Sequence, residues 1–372
     1  MLVPKDDFIG LDDQVHLCAG GETPVLKSHQ DAVARFFRSK ARGEDGRQQF
    51  EETYLKCKER AGRLFNVSPE EIAFLSSTSE GVNLLAHALD WEPGDNVVVA
   101  DVEFPSDVLP WTRLERLGVE LRLVRHRNWQ VSVADLESHI DSRTRVVAVS
   151  LVSFLTGQRQ LLRELSRAVR STGALLSVDA THAAGVVPVE AGLADFVMSS
   201  CYKWLLGTHG VSIFYWNRSR LPDLQPPFLG WHTPADLTGW RHPTRYEPRP
   251  DAARFEPGNP SWISVYILEN ALDYLSRVGV PEIESYVLDL SERVLRGLAE
   301  LGLEIMTPSR PRERAGNACF VAPREKAVMR WLDDRGILVW GDSQRIRVST
   351  HLYNTADDVE EFLEALRRCP LV

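Results

Sequence analysis

At 372 residues the chain is long enough for a large core and two domains. Its 44% hydrophobic and 26% charged content is an ordinary globular balance, and a formal net charge of -9 argues against a nucleic-acid role, since phosphate binding wants a basic surface. No apolar run reaches membrane-spanning length and the opening MLVPKDDFIG lacks the layout of a secretion signal, so a cytoplasmic protein is expected.

Residues 1–25 read as an irregular lead-in with a glycine turn at Gly20 and Gly21. Helical spacing from Ser28 to Phe65, interrupted by the turn at 43–46, predicts two helices. Ser68, Pro69 and Glu71 then start a helical turn before the strand IAFLSS. That strand empties into Ser76-Ser77-Thr78-Ser79-Glu80-Gly81, ahead of an apolar helix. Hydroxyls and free amides at a helix start suit an anion such as phosphate, with an ordinary serine cap as the rival reading. A buried strand, Asn96 to Ala100, leads to Phe104, whose flat face can stack on a ring, while Asp107, Trp111 and Arg113 read as helix-surface residues. VELRLVRHR and TRVVAVSLVS supply further strands, and the helix LLRELSRAVRST stops at Gly173.

The stretch from Gly173 to Asn217 organises the rest. Its runs Ala174 to Val178, Phe196 to Met198 and Val211 to Trp216 suit strands buried on both faces. Asp179 ends the first run and Lys203 follows the second. Carboxyl ends of neighbouring strands in an open α/β sheet face one crevice, so these charges can meet. A lysine amine can form an imine with an aldehyde cofactor, and a carboxylate can hold the protonated nitrogen of a pyridine. Read singly, both residues also serve as ordinary loop charges. The five cysteines, Cys18, Cys57, Cys201, Cys319 and Cys369, form no C-x-x-C pair, so neither a disulfide framework nor a metal site is indicated, and Cys201 reads as a buried, inert thiol.

Residues 221–260 are dense in proline, glycine and tryptophan and read as a loop roofing the site. Trp231, Trp240 and Tyr246 suit an apolar or aromatic substrate group there, and Arg241, Arg245, Arg249 and Arg254 read mostly as a solvated basic face. Beyond Glu282, strands alternate with helices as in a small α/β layer. Arg347, in RIRVSTHLYNT, is suited to a carboxylate because its parallel donors fix orientation as well as charge; the rival reading is a strand-edge arginine in solvent.

VDATHAAG followed by ADFVMSSCYKWLLGTHGVSIFYW resembles the aspartate and Schiff-base lysine segments of the aminotransferase class V family of pyridoxal-phosphate enzymes. That family includes cysteine desulfurases, kynureninases and isopenicillin N epimerase-like proteins, and the likeness runs from about Leu17 to Arg367. It implies the fold-type I α/β transferase architecture: a large domain over 22–270 with a mostly parallel seven-stranded sheet, and a smaller domain from 1–21 and 271–372. It also implies a homodimer with its active site at the interface. Pyridoxal 5'-phosphate is the implied cofactor, carried by Lys203 with its ring nitrogen on Asp179. His182 stands where many relatives have a glutamine contacting the ring hydroxyl, which makes it a third catalytic candidate, with a structural histidine as the rival reading. The resemblance gives phosphate contacts to Thr78, Ser79, Ser200 and Tyr202, and ring stacking to Phe104, where many relatives have histidine. RFEPGNPS resembles the family's R-F-E-x-G-T-P segment, whose threonine meets phosphate across a dimer interface; Asn259 replaces it here. Arg347 matches the arginine that forks onto the substrate carboxylate, and Ser153 stands where desulfurase-like relatives place an asparagine meeting that carboxylate.

The expected reaction is lysis of a side-chain bond in an L-amino acid with a bulky or sulfur-containing side chain, because Phe104 and Tyr202 are kynureninase-like. Transamination, epimerisation or decarboxylation are the alternatives, as is an inactive family member serving as a binding partner. Desulfurases carry a nucleophilic cysteine on a longer loop before the arginine; VWGDSQRIR is short and has none, so a persulfide-forming cysteine desulfurase is excluded on this reading. No G-x-G-x-x-G follows a strand, which disfavours a nicotinamide dehydrogenase.

Overall fold

Runs of valine, isoleucine and phenylalanine too short for core helices make the centre of the molecule. In the computed structural model, which describes residues 1–236 and 246–371, the lead-in carries three short strands, β1 (Phe8–Ile9), β2 (Val15–His16) and β3 (Val25–Leu26). Helices α1 (His29–Lys40) and α2 (Glu44–Phe65) follow. The next seven strands are β4 (Ile72–Leu75), β5 (Asn96–Ala100), β6 (Glu120–Val124), β7 (Thr144–Ser150), β8 (Leu175–Asp179), β9 (Phe196–Ser200) and β10 (Ser212–Trp216). They form one sheet in the order β4-β10-β9-β8-β7-β5-β6. Only β10 runs against the others, antiparallel to both β4 and β9. Every residue of β4, β5, β9 and β10 is buried, as a sheet covered on both faces requires.

Helices α3 (Thr78–Ala88), α4 (Pro105–Thr112), α5 (Val133–Glu137) and α6 (Leu162–Thr172) cover that sheet. The approach of α3 is close: a Cβ on Gly81 would stand 2.7 Å from the Met198 sulfur, so only glycine lets the helix start sit down on β9. Asp107 and Trp111 differ from the surface reading, because α4 turns both inward and buries them. Arg254 also differs. It is buried, its Nε donates to the Arg249 carbonyl at 2.7 Å, its Nη1 donates to the Leu224 carbonyl at 3.1 Å, and its guanidinium lies 4.8 Å from the Trp216 ring centre. It pins the 221–260 segment to the sheet. Trp240, Arg241 and Arg245 lie outside the described residues.

After α7 (Trp262–Val278), α8 (Val280–Glu300) joins two cores. Ile283 and Val287 pack into the main core, while Leu290, Val294 and Leu298 pack with Phe320, Ile346 and Phe362 in a second one. The second layer contains β11 (Asn317–Val321), α9 (Glu325–Asp333), β12 (Ile337–Leu338), β13 (Trp340–Asp342), β14 (Arg345–Ser349) and α10 (Ala356–Arg367). β14 pairs antiparallel with β11 and β13, and β12 pairs in parallel with β2, so the lead-in is stitched into this layer. Among the described residues no helix is long and apolar enough to cross a membrane.

Candidate active site

The sheet register brings the chemistry together. Asp179 pairs with Ser150 of β7 on one side and Met198 of β9 on the other, so β7, β8 and β9 all end at one crevice. β4 ends there too, since Leu75 pairs with Ser212 and Ser212 with Ser200, and its continuation starts α3. The crevice encloses about 520 Å³ of space, its open mouth included, and its lining includes Thr78, Phe104, Phe154, Asp179, Ser200 and Lys203.

One end of the crevice is a cluster of hydroxyls at the start of α3. Thr78 Oγ1 lies 2.9 Å from Ser200 Oγ and 3.1 Å from Thr181 Oγ1, and the Thr78 N–H donates to Ser200 Oγ at 3.3 Å. Ser77 is the helix cap, accepting from the Glu80 N–H at 3.2 Å. Ser79 Oγ bonds Ser106 Oγ at 2.7 Å on the outer side. The positive end of the α3 dipole beside three hydroxyls, which can turn their hydrogens toward a ligand, makes an anion site.

Lys203 stands at the centre. Its Nζ lies 3.2 Å from His182 Nε2, 5.6 Å from the Phe104 ring centre and 5.4 Å from the Tyr202 ring centre. The turn that presents it is strained: Leu206 has φ 57, its N–H bonds the Lys203 carbonyl at 2.9 Å, and its own carbonyl accepts from His29 Nε2 at 2.8 Å. The Thr23 hydroxyl braces the same turn through the Tyr202 and Lys203 carbonyls, at 3.2 and 3.0 Å. Burial lowers the amine to about 8, and the Arg347 charge adds to this against the pull of Asp179.

His182 has a fixed tautomer. Its Nδ1 accepts from the Trp204 indole N–H at 3.3 Å and lies 3.1 Å from Asn317 Nδ2. An indole nitrogen only donates, so the neutral imidazole carries its proton on Nε2, toward the lysine. Burial, with the Lys203 charge next, pushes the imidazolium form well below the usual histidine range.

Asp179 Oδ1 accepts from the Thr181 N–H at 2.7 Å. Two more carboxyls sit behind it. Burial pushes Glu103 up to about 7, although Ser150 donates to it from its hydroxyl and from its N–H at 2.9 Å. Burial, then the Asp179 and Glu103 charges, holds Asp107 well above the carboxylate range. Among the described residues its Oδ2 meets no donor.

Phe104 meets Phe154 edge-on at 5.0 Å. Arg347 is buried, and its Nη1 donates to the Phe154 carbonyl at 2.9 Å. Burial, with the Arg345 charge next, draws it down to about 10. A Cβ at Gly20 would stand 2.9 Å from Arg347 Nε, which ties the lead-in's glycine turn to this arginine.

Thr78, Ser79, Phe104, Asp179, His182, Ser200, Tyr202 and Lys203 thus all line one crevice. Three expected residues are not part of that lining: Ser153, Asn259 and Arg347, the last meeting the crevice wall through the Phe154 carbonyl. The Ser153 hydroxyl faces its own turn, accepting from the Leu155 and Thr156 N–H groups at 3.2 and 3.3 Å, and Phe154 fills the crevice wall instead. Asn259 is exposed and is not part of that lining. Thr181, Asp107, Phe154 and Asn317 were missed. A signal existed for Thr181 alone, as a hydroxyl two residues past the strand-ending Asp179. Among the described residues no group of three or more His, Cys, Asp or Glu side chains could hold a metal ion.

These features define a class. The family model described as Aminotransferase class-V matches residues 23–362, and the chain belongs to that family. It is 30% identical over 340 residues to the cysteine desulfurase of Salmonella choleraesuis, covering 85% of this chain and 82% of that protein. It is 27% identical over 310 residues to an uncharacterized aminotransferase of Schizosaccharomyces pombe, covering 81% and 78%. The apo structure of cysteine desulfurase from Thermococcus onnurineus NA1 superposes with a TM-score of 0.88 at 26% identity, covering 97% of this chain and 96% of that one. Fold-type I architecture is therefore established.

The exclusion of a persulfide-forming cysteine desulfurase is corrected, because proteins bearing that name are among the relatives. It rested on one side chain in one loop. In the structure that loop is the hairpin between β13 and β14, turned by Ser343 and Gln344 at φ 50 and 59. Its length describes a turn and does not decide which bond the lysine side of the crevice can break.

Pyridoxal 5'-phosphate is the cofactor of this family, and the residues present fit it. A hydroxyl cluster at a helix start suits a phosphate, a flat aromatic face suits a pyridine ring, the half-buried Asp179 carboxylate suits its nitrogen, and a desolvated amine suits its aldehyde.

Proposed function

We propose that the protein is a pyridoxal-phosphate-dependent lyase that breaks a side-chain bond of an L-amino acid, working as a homodimer in the cytoplasm. The observation that carries the reading is the Lys203 amine, desolvated to about 8 and set 3.2 Å from the Nε2 of a neutral histidine. The relatives named cysteine desulfurase favour lysis over the other reactions of the class.

The cofactor, when bound, supplies an electron sink for the bond broken at the α-carbon. The chain supplies the rest. Thr78, Ser79 and Ser200 would hold the phosphate, Asp179 the ring nitrogen and Phe104 a ring face, while Lys203 would carry the aldehyde carbon. A lysine at about 8 is partly neutral near pH 7, so its nitrogen has a lone pair for the α-proton. His182 keeps its N–H toward that nitrogen and so orients it. Arg347 would receive the substrate carboxylate, and the Phe154 carbonyl fixes its plane. Asn259, exposed on this chain, would serve the other subunit's crevice in the homodimer.

A panel of L-amino acids mixed with the holoenzyme in single turnovers tests this. Release of ammonia with a keto acid, or of the side-chain fragment, is expected. Stoichiometric build-up of the amine form of the cofactor would overturn lysis in favour of transamination. That second reading has its own support in the relative described as an aminotransferase.

A further inference from the structure

Two arginines stand on the same face of β14, Arg345 and Arg347, and both are buried. Each is tied to Phe154. Arg347 Nη1 donates to its carbonyl at 2.9 Å, and the Arg345 guanidinium carbon lies 5.3 Å from its ring centre. Phe154 lines the crevice, so the second cation sits directly behind the crevice wall.

The buried structural arginines of this protein look different. Arg314, equally buried, spends Nε on the Ser309 carbonyl at 3.4 Å, Nη1 on the Leu288 carbonyl at 3.3 Å and Nη2 on Glu292 at 2.5 Å. Arg345 has one ionic partner, its Nη2 lying 3.1 Å from Asp342 Oδ1; the weakly accepting Cys319 thiol is beside it, and among the described residues no hydrogen-bond acceptor meets its Nε or Nη1. Among the described residues Arg347 Nε meets no acceptor either. Asp342 is a diluted counterion, since it is partly exposed and also accepts from the Trp340 indole N–H at 2.6 Å. Two buried like charges, with one partly exposed anion held by Arg345 alone and three nitrogens unpartnered among the described residues, describe a seat for an anion brought in from outside. One α-carboxylate answers Arg347 and leaves Arg345 unmatched.

We propose that Arg345 is the specificity residue of the site: with Arg347 it makes a doubly charged seat that favours amino acids carrying a second acidic group on the side chain. The inference rests on the proposed function above and narrows its substrate class.

The test uses holoenzyme and two C4 acids, succinate and butyrate, titrated by calorimetry. Wild-type protein is expected to bind succinate about tenfold or more tighter than butyrate. Arg345→Gln should erase that preference and Arg345→Lys should keep most of it. Because Arg345→Gln removes a buried charge and can unfold the protein, Asp342→Asn is the companion variant; freeing Arg345 from its counterion should tighten succinate binding and leave butyrate behind. Equal binding of the two acids by wild type, or a preference that survives Arg345→Gln, would overturn the inference. A protein that takes up no pyridoxal phosphate at all would instead overturn the proposed function, and cofactor absorbance reads that separately.

Discussion

The Lys203 amine and the His182 imidazole face each other at 3.2 Å, and the Trp204 indole on the far side of the ring decides which of them carries the shared proton. Because that indole can only donate, His182 Nε2 keeps its hydrogen and the lysine nitrogen is the acceptor whenever it is neutral.

A pH profile follows. The folded lysine titrates at about 8, below the ordinary 10.5, so about one molecule in ten has a neutral amine at pH 7. The rate of cofactor attachment to cofactor-free protein is expected to climb through about pH 8 and flatten above it, read by absorbance after mixing. The sign for stability is the same: the unfolded chain holds the extra proton between about 8 and 10.5, so this group adds to stability as pH rises across that window. A rate still climbing in proportion to hydroxide at pH 10 would contradict the assignment.

The hydroxyls of Ser77 and Thr78 at the start of α3 and of Ser200 at the end of β9 separate by role. Ser200→Ala and Thr78→Val should weaken pyridoxal-phosphate binding about ten- to a hundredfold, as expected for lost hydrogen bonds to a charged group. Ser77→Ala should instead cost about 1 kcal/mol of stability with a smaller effect on cofactor affinity, since its hydroxyl is spent on the Glu80 N–H. Equilibrium dialysis and urea denaturation tell the two apart.

Much of this was legible in the chain. The order of strands, the Asp179 strand end and the lysine segment are local patterns, and buried parallel strands announce themselves by unbroken apolar runs. Asp107 was not legible. An acidic residue in a helix reads as solvated, and only the α4 packing that buries Trp111 beside it shows that this face points inward. Ser153 failed for a similar reason: a serine at a strand end can serve a ligand or its own turn, and the Leu155 and Thr156 amides claim it here. The Arg254 tie to Trp216 joins residues far apart in the chain, which no periodicity encodes.

The buried carboxyls behind Asp179 predict a measurable pH slope. Glu103 titrates at about 7 when folded against 4.5 ordinarily, so the folded state holds the extra proton between those values and its contribution to stability falls as pH rises through them. Glu103→Gln should remove that loss. In cofactor-free protein, the variant's urea stability relative to wild type is expected to improve from pH 4.5 to 7, by up to about 1.4 kcal/mol per pH unit. A constant difference across that range would contradict it.

Arg347→Lys keeps the charge but loses the fork. KM for the best amino-acid substrate should rise about a hundredfold, with cofactor content unchanged, because orientation and not cofactor retention is what the guanidinium supplies. Steady-state kinetics on protein of known cofactor content checks this, and an unchanged KM would remove Arg347 from the substrate site.

The most direct measurement is borohydride reduction of the purified yellow holoenzyme followed by peptide mass mapping. A phosphopyridoxyl group on the peptide containing Lys203, lost in Lys203→Ala, is the predicted result. A modified lysine elsewhere, or a protein that binds no pyridoxal phosphate at all, would contradict it.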